Sequence, residues 1–362
     1  MKITDVRAIP LAIPTGDAER HSPWWGRQAR QVIVLVETDE GLTGLGEAFA
    51  MGGQAPVCHV IDDALRPLLL GHDPTRIAFL SDVLQRSTAG YGRRGIGMHA
   101  VSGVEIALWD ILGKARNLPL YDLLGGLTRP TMPAYASLLR YNTPADVATA
   151  CEGRAAAGFR AIKLHQTDVA STQAAREAVG PDVALMLDTN CPWTPAEALA
   201  MARALTPYNL AWLEEPIWPP EDYDALAALR WAIPMPLALG ENEATAFGFR
   251  EIIAKGAADI LQPSVIKVGG IGELQRIAAL AAVAGLPVTP HSFYFGPGLA
   301  ATLHLAATFT GSAYVEFPSY DLAVPLLAAP ITPVDGMVAP PRGPGLGVAL
   351  NEDALRHYPF AG

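Results

Sequence analysis

Three acidic residues follow short apolar runs in the second half of the chain. Asp188 ends the run ALMLD, Glu214 ends AWLE and Glu241 ends LALGE. A single acid at such a position is most often a helix cap, but three at matching positions of neighbouring parallel strands would meet at one edge of a sheet. Buried carboxylates repel one another unless a cation lies between them. Since all three ligands are oxygens and no cysteine is among them, the pattern predicts a Mg²⁺ site, with Mn²⁺ as the nearest substitute.

A lysine and a histidine share one side of the preceding apolar run, AIKLH. Lys163 and His165 are two residues apart, and residues at that spacing point to the same face of a strand. A buried lysine without a partner is costly because burial destabilises its charged form. Beside an anionic substrate, the lysine can bind a carboxylate oxygen and the histidine can transfer a proton. For His165 alone, a hydrogen-bonded structural role is the alternative.

Two later runs add further groups of the same kind. His291 ends PVTPH and Glu316 lies in AYVE. A second histidine opposite the first would give two groups able to exchange protons with one substrate, while Glu316 could hydrogen-bond the substrate's carboxylate. Asn190, two residues beyond Asp188, could contact either the substrate or a water near the metal. We expect Glu215 to have a structural role in the turn after its strand.

Eight apolar runs alternate with Ala-rich amphipathic segments after residue 130. The predicted strand ends are Ser137, His165, Asp188, Glu214, Glu241, Ser264, His291 and Glu316. Their spacing of about 23 to 28 residues is typical of repeated strand–helix units, and eight such units can close a barrel whose chemistry lies at the carboxyl ends of its strands.

The chain before this region has a different pattern of predicted secondary structure. KITDVRAIPLAI and RQVIVLVETDEGLTGLGEAFA predict strands, with a turn at DEG, and two amphipathic segments predict helices, SDVLQRSTAG and VSGVEIALWDILGKARNLPLYDLLGG. A boundary near Arg129 separates this α+β part from the barrel. The Pro- and Gly-rich segment from Asp321 onward predicts irregular chain with one late strand, and its GPGLG lacks the lysine and following helix of a phosphate loop.

Composition excludes several classes of protein. A net charge of -10 without a basic cluster argues against nucleic-acid binding. Three scattered cysteines, Cys58, Cys151 and Cys191, indicate neither a disulfide framework nor a zinc cluster, and they fit a reducing compartment. The chain starts without an apolar signal core and has no run of eighteen apolar residues. We therefore expect a cytoplasmic protein that binds no membrane. The expected partner is a small-molecule carboxylate substrate, and we expect the chain to form a homo-oligomer.

The ordered motifs KLH, LDTN, LEEP, LGEN, LQPSVIKVGGI and TPH, together with the long helical segment SGVEIALWDILGKARNLPLYDLLGG, resemble the mandelate racemase / muconate lactonising enzyme family of the enolase superfamily. The resemblance covers essentially the whole chain. It implies an α/β fold with a modified TIM barrel, (β/α)7β, over residues 129–320. An α+β capping domain would be formed by residues 1–128 and by residues 321–362, which return to it. It also implies an essential Mg²⁺.

The resemblance carries roles to individual residues. It places the metal on Asp188, Glu214 and Glu241, the substrate carboxylate on Lys163 and Glu316, and acid–base chemistry on His165 and His291. Lys267, in VIKVGG, matches a lysine near the end of the sixth strand that could contact substrate or be structural.

One position departs from the family. Ser264 stands where mandelate racemase-like members carry an aspartate that pairs with the second histidine. A serine can orient an imidazole but cannot stabilise an imidazolium as a carboxylate does, so His291 should be the weaker base. The resemblance implies abstraction of the proton α to a carboxylate. Dehydration of an acid sugar is the expected reaction, and racemisation, epimerisation or cycloisomerisation are alternatives. A metal-dependent barrel aldolase or hydrolase, or a non-enzymatic interaction protein, are more distant ones.

Substrate choice is expected to depend on two loops of the capping domain, ERHSPWWGRQAR and AFAMGGQAP. In the first, His21, Trp24, Trp25 and Arg27 are candidates to cover the substrate and bind its distal polar or acidic group. The alternative for the two tryptophans is that they pack the capping domain onto the barrel.

Overall fold

An antiparallel three-stranded sheet opens the chain. The computed structural model describes residues 1–16, 27–311 and 314–360. The strands are β1 (Ile3–Pro14), β2 (Gln28–Thr38) and β3 (Thr43–Ala48), in the order β1-β2-β3. β2 pairs with β1 from Pro14–Gln28 to Ile3–Thr38, and the predicted DEG segment forms the turn between β2 and β3.

Helices follow the sheet and cover one of its faces. They are α1 (Gln54–His59), a π-helical turn (Val60–Leu65), α2 (Arg66–Leu69), α3 (Ile77–Ser87), α4 (Ile96–Arg116) and α5 (Leu120–Leu123). α4 is long and apolar enough to cross a membrane, yet 78% of its most apolar window is buried inside the protein. Its apolar composition is therefore that of a core helix.

The rest of the chain forms a barrel of parallel strands surrounded by helices. The strands are β4 (Met132–Ser137), β5 (Ala161–Leu164), β6 (Ala184–Asp188), β7 (Leu210–Glu214), β8 (Leu237–Leu239), β9 (Ile260–Leu261) and β10 (Val315–Pro318). The helices are α6 (Pro144–Ala156), α7 (Val169–Val179), α8 (Pro195–Leu205), α9 (Tyr223–Ala232), α10 (Thr245–Lys255), α11 (Ile271–Ala284) and α12 (Pro297–Ala306). β10 lies beside β4, so the sheet curls around. The predicted α/β barrel with a capping domain is confirmed.

Several predicted strand ends differ in detail. The run PVTPH forms only two isolated bridges, from Leu261 to Val288 and from Ser264 to His291, instead of a continuous strand. Pro287 and Pro290 explain the difference, since proline has no N–H to donate to a sheet. The other deviations are smaller: His165 directly follows β5, Glu241 and Ser264 lie a few residues beyond β8 and β9, and Glu316 lies within β10.

The C-terminal segment contacts both parts of the chain. β11 (Met337–Val338), the expected late strand, pairs with the barrel strand β4. On either side of β11 in the chain, Leu322 forms a bridge to Thr15 and Pro359 forms one to Leu11, both in the region of the first sheet. A short helix, α13 (Glu352–His357), was not predicted from the sequence.

Two buried carboxylates join the capping domain to the barrel. Glu105 of α4 accepts hydrogen bonds from the N–H groups of Ile271 (2.7 Å) and Gly272 (2.9 Å) at the start of α11. Glu47 of β3 accepts one from Gly298 in the first turn of α12 (2.9 Å). Burial raises the pKa of each carboxyl to about 7. Each acid satisfies N–H groups that have no partner within their own helix.

The contact of β3 with α4 depends on glycine. A Cβ placed on Gly46 would overlap the carbonyl oxygen of Gly103 in α4, so this close approach excludes any side chain. We expect Gly46→Ala to lower the free energy of unfolding by about 2–3 kcal/mol, because the helix must move away from the sheet. Gly153→Ala in the exposed part of α6, where nothing lies within 4 Å, is the control and should be neutral or stabilising. Denaturant unfolding of both variants measures the difference; equal stabilities would contradict the packing argument.

Candidate active site and metal centre

The three acids predicted to bind a metal come together at the carboxyl end of the barrel. Asp188 and Glu214 are paired neighbours at the ends of β6 and β7, and Glu241 follows β8. One oxygen from each lies within 4.8 Å of the other two. Asp188 and Glu214 are completely buried and Glu241 is 9% exposed. The strand register therefore assembles three carboxylates in one water-poor space.

Lys163 lies among these acids with no exposed surface. Its Nζ is 2.8 Å from Glu214 Oε1, 2.9 Å from Glu316 Oε1 and 3.1 Å from Asp188 Oδ2. Burial opposes its positive charge, but the surrounding carboxylates outweigh burial and raise the pKa of Lys163. The ammonium group thus stays charged and carries up to three hydrogen bonds to anions.

His165 is held in one orientation beside Asp188. Its Nδ1 lies against the carbonyl oxygen of Leu138, and its Nε2 is 3.2 Å from Asp188 Oδ2. Because a carbonyl oxygen can only accept a hydrogen bond, Nδ1 carries a proton. In the neutral ring the lone pair is then on Nε2, the nitrogen that faces the carboxylate cluster. Phe293 packs on the ring at a centroid distance of 5.2 Å.

His291 reaches the cluster from another side. Its Nε2 is 3.0 Å from Glu241 Oε2, while its buried Nδ1 has no hydrogen-bond partner within the part of the chain that the structure describes. The hydroxyl of Ser264 lies 3.4 Å from the Tyr294 hydroxyl. Burial lowers the pKa of His291 despite the opposing charge of Glu241. Among the described residues, therefore, no acidic group hydrogen-bonds the imidazole at Nδ1.

Glu316 extends the cluster on the side of β10. Its Oε1 accepts a hydrogen bond from Ser137 Oγ (2.7 Å) and its Oε2 accepts one from the Ser292 N–H (2.6 Å). Burial opposes ionisation, but Lys163 and His291 outweigh it and lower the pKa of Glu316 to about 2. The side chain is thus fixed as a carboxylate next to Lys163.

Two donors that the sequence analysis missed hold Glu214. Trp212 Nε1 and Gln262 Nε2 both donate to Glu214 Oε2, at 2.8 and 2.7 Å. Burial and the charge of Asp188 raise the pKa of Glu214 well above its ordinary value. The two-residue spacing of Trp212 and Glu214 on one strand was a signal for the first contact. Gln262 directly follows β9, which lies two positions from β7 in the sheet.

Arg140 is another residue that the sequence analysis did not select. It follows β4 and donates from Nε to the carbonyl oxygen of His165 (2.7 Å) and from Nη2 to Asn190 Oδ1 (3.3 Å). The N–H of Asn190 in turn donates to Asp188 Oδ1 (3.0 Å). Asn190 therefore lies beside a predicted metal ligand, and Arg140 links its loop to that of His165.

Two charged residues border the cluster in different ways. Lys267 Nζ lies 3.5 Å from Glu241 Oε1 and 4.2 Å from the ring centroid of Phe49, so it contacts both the acids and the capping domain. Glu215 accepts a hydrogen bond from Asn242 Nδ2 (2.6 Å), an amide nitrogen that also lies 3.4 Å from Glu241 Oε1. A structural role for Glu215 in the turn stays a prediction.

Of the four capping-loop candidates, His21, Trp24 and Trp25 lie outside the described residues. Arg27 is exposed and borders a cavity of about 300 Å³ between the first sheet and the barrel. Phe293, which packs on His165, and Tyr294, whose ring is 6.0 Å from that of His291, line the same cavity. The cavity thus approaches the carboxylate cluster from the capping domain.

The donor set fits a divalent cation. Four buried carboxylates, those of Asp188, Glu214, Glu241 and Glu316, are opposed by the ammonium groups of two lysines, Lys163 and Lys267. Three of these carboxylates offer oxygens close enough to share one ion. Oxygen donors of this kind suit Mg²⁺ or Mn²⁺. Asp188, Glu214 and Glu241 are the residues that would hold it.

Comparison with known proteins agrees with this geometry. Residues 24–125 match "Mandelate racemase / muconate lactonizing enzyme, N-terminal domain" and residues 146–354 match "Enolase C-terminal domain-like". The chain is 35% identical to D-galactarolactone cycloisomerase of Agrobacterium fabrum, covering 99% of both chains, and 36% identical to arabinonate dehydratase of Saccharolobus solfataricus, covering 90% of both. The structure of 3,6-anhydro-D-galactonate cycloisomerase from Zobellia galactanivorans superposes with a TM-score of 0.90 at 30% identity, covering 100% of both chains.

The cluster makes a direct prediction about metal binding. We expect Mg²⁺ to raise the Tm of the protein, because an ion bound only by the folded chain stabilises it. Asp188→Asn and Glu241→Gln should abolish this rise, and Trp212→Phe should weaken the affinity about tenfold by releasing Glu214. Asp63→Asn, which removes an exposed acid, is the matched control. Calorimetric titration measures the affinities, and unchanged binding by Asp188→Asn would contradict the assignment.

Proposed function

We infer that this chain, which belongs to the mandelate racemase / muconate lactonizing enzyme family of the enolase superfamily, dehydrates an acid sugar. The chain is an enzyme of the lyase or isomerase class, since its relatives are acid-sugar dehydratases and cycloisomerases. Members of the superfamily use Mg²⁺, and we propose the same ion for the acids Asp188, Glu214 and Glu241. The observation that favours dehydration is that His291 Nδ1 has no hydrogen-bond partner among the described residues, whereas its Nε2 lies against Glu241.

Binding of the substrate carboxylate is the first task of the site. Lys163 has an ammonium group directed at the cluster, and Glu316 lies beside it at 2.9 Å. We propose that Lys163 binds one carboxylate oxygen and that the ionised Glu316 holds the Lys163 ammonium group in position for it. The metal, when bound, supplies positive charge that stabilises the negative charge developing on this carboxylate. Both side chains are already fixed by neighbours, so little reorganisation is needed during the reaction.

Removal of the α-proton is assigned to His165. Its Nδ1 proton is held by the Leu138 carbonyl, which leaves Nε2 to accept a proton from substrate. Arg140 restrains the backbone of His165 through its carbonyl oxygen. The proton passes from Cα to Nε2, and the electron pair of the C–H bond moves toward the substrate carboxylate, which becomes an enediolate.

Departure of the β-hydroxyl is assigned to His291. A proton given by His291 allows the hydroxyl to leave as water while the electron pair forms the new C–C double bond; the resulting enol then becomes a 2-keto-3-deoxy acid. A racemase needs two comparable bases, and a histidine paired with an acid at Nδ1 would be one. His291 lacks such a partner at Nδ1 within the described chain, which disfavours the second base that a racemase needs.

A cycloisomerase is the second candidate. The observation that favours it is the 35% identity to D-galactarolactone cycloisomerase over 99% of both chains. That reaction would begin with the same proton transfer to His165 and would differ in the oxygen that leaves. Assembly as a homo-oligomer and a cytoplasmic location remain predictions.

Incubation in heavy water tests the proposed function. With Mg²⁺ and a panel of aldonates, aldarates and their lactones, we expect at least one acid to give a 2-keto-3-deoxy product and to show solvent deuterium at Cα of the recovered substrate. His165→Asn should lower exchange at least about 100-fold because the base is lost. His291→Asn should retain exchange but lose product, whereas the exposed control His59→Asn should retain both. NMR measures exchange and product.

Two results would contradict the proposal. Exchange that persists in His165→Asn would remove His165 as the base. Exchange that yields only a cyclised or ring-opened isomer would replace dehydration by cycloisomerisation.

A further inference from the structure

The cavity between the first sheet and the barrel has a polar wall made by the capping domain. Thr15, Gln31 and Glu47 line it on that side, and Phe293 and Tyr294 line it on the barrel side. Since these two aromatic rings contact His165 and His291, a substrate held at the histidines would extend its far end toward the polar wall.

Two atoms of this wall are buried without a hydrogen bond. Gln31, 6% exposed, has an unpartnered Oε1, and Thr15 has an unpartnered Oγ1, within the ranges of the chain that the structure describes. A buried polar atom without a partner destabilises the folded chain. Both side chains are in or beside the paired strands β1 and β2, so the backbone fixes their position. Such atoms are ready to bind the hydroxyl groups of a ligand.

Glu47 adds hydrogen-bond acceptors to the polar wall. It is 1% exposed, and its Oε2 is held by the Gly298 N–H, so the carboxyl cannot turn out to solvent. Together with the Gln31 amide oxygen, it presents acceptors to the cavity. Arg27 and Arg30 also border the cavity, but both side chains are exposed, and solvent screens their charges. The wall therefore suits hydroxyl donors better than a second carboxylate.

We propose that Thr15, Gln31 and Glu47 form a subsite for the distal hydroxyl groups of the substrate, so that the enzyme prefers an acid sugar with one carboxylate to the corresponding diacid. This inference rests on the proposed function, since it names the class of acid that the same site accepts. It assigns specificity to residues in or beside the sheet, in addition to the two loops expected from the sequence.

Steady-state kinetics with matched substrates tests the subsite. Each aldonate of the six-carbon series is compared with the aldarate of the same configuration and with the aldonate that lacks the terminal hydroxyl. We expect a higher kcat/KM for the aldonate than for either analogue. Gln31→Leu and Thr15→Val should each lower kcat/KM for the aldonate about fivefold to tenfold, as expected for the loss of one hydrogen bond. The same variants should leave kcat/KM for the aldonate without the terminal hydroxyl almost unchanged.

Controls separate this inference from folding and from the proposed function. Gln173→Leu makes the same chemical change on the exposed face of α7 and should leave all values unchanged. α-Deuterium exchange is measured for every variant and substrate. The subsite is wrong, and the proposed function stands, if acid sugars exchange but the diacid has the higher kcat/KM. The same conclusion follows if Gln31→Leu and Thr15→Val lower kcat/KM equally for the aldonate and for its deoxy analogue. If no acid exchanges with the parent protein, both are overturned.

Discussion

The burial of four carboxylates around Lys163 is the constraint on which the rest of this structure depends. Lys163 contacts three of the acids, while Glu241 is approached by Lys267 and His291. So much negative charge in a water-poor space is costly unless cations balance it. Two ammonium groups balance part of it, and a divalent ion held by Asp188, Glu214 and Glu241 would balance the rest. This charge balance depends on the strand ends that position the acids, on the neighbouring hydrogen-bond donors and on the orientation of both histidines.

The capping domain is tied to the barrel at the end where this charge lies. Glu105 accepts hydrogen bonds from N–H groups in the first turn of α11, and Glu47 accepts one from the first turn of α12. These two barrel helices flank the segment that carries His291. These contacts fix the distance between the first sheet and the catalytic end of the barrel. The cavity enclosed between them is lined by polar groups in or beside β1–β3 on one side and by the aromatic residues that pack on the two histidines on the other.

Much of this arrangement could be predicted because it follows from local sequence patterns. Apolar runs that end in an acidic residue predicted the positions of Asp188 and Glu214, the two-residue spacing from His165 pointed to Lys163, and the regular spacing predicted the barrel. The bridges that replace a seventh strand were missed because Pro287 and Pro290 interrupt pairing without changing the apolar pattern. Gln262 and Arg140 were missed for another reason: their contacts join residues far apart in the chain, and no local periodicity reports them. The helix α13 lies in a Pro- and Gly-rich segment whose composition favoured irregular chain.

The most direct test of the account is anomalous diffraction from crystals grown with Mn²⁺ in place of Mg²⁺. The account predicts one strong peak in the barrel, bonded to one oxygen each of Asp188, Glu214 and Glu241, with Lys163 and His165 beside it but not bound to it. A peak at other residues, or none at a saturating concentration of Mn²⁺, would contradict the claim that this buried charge exists to hold a metal.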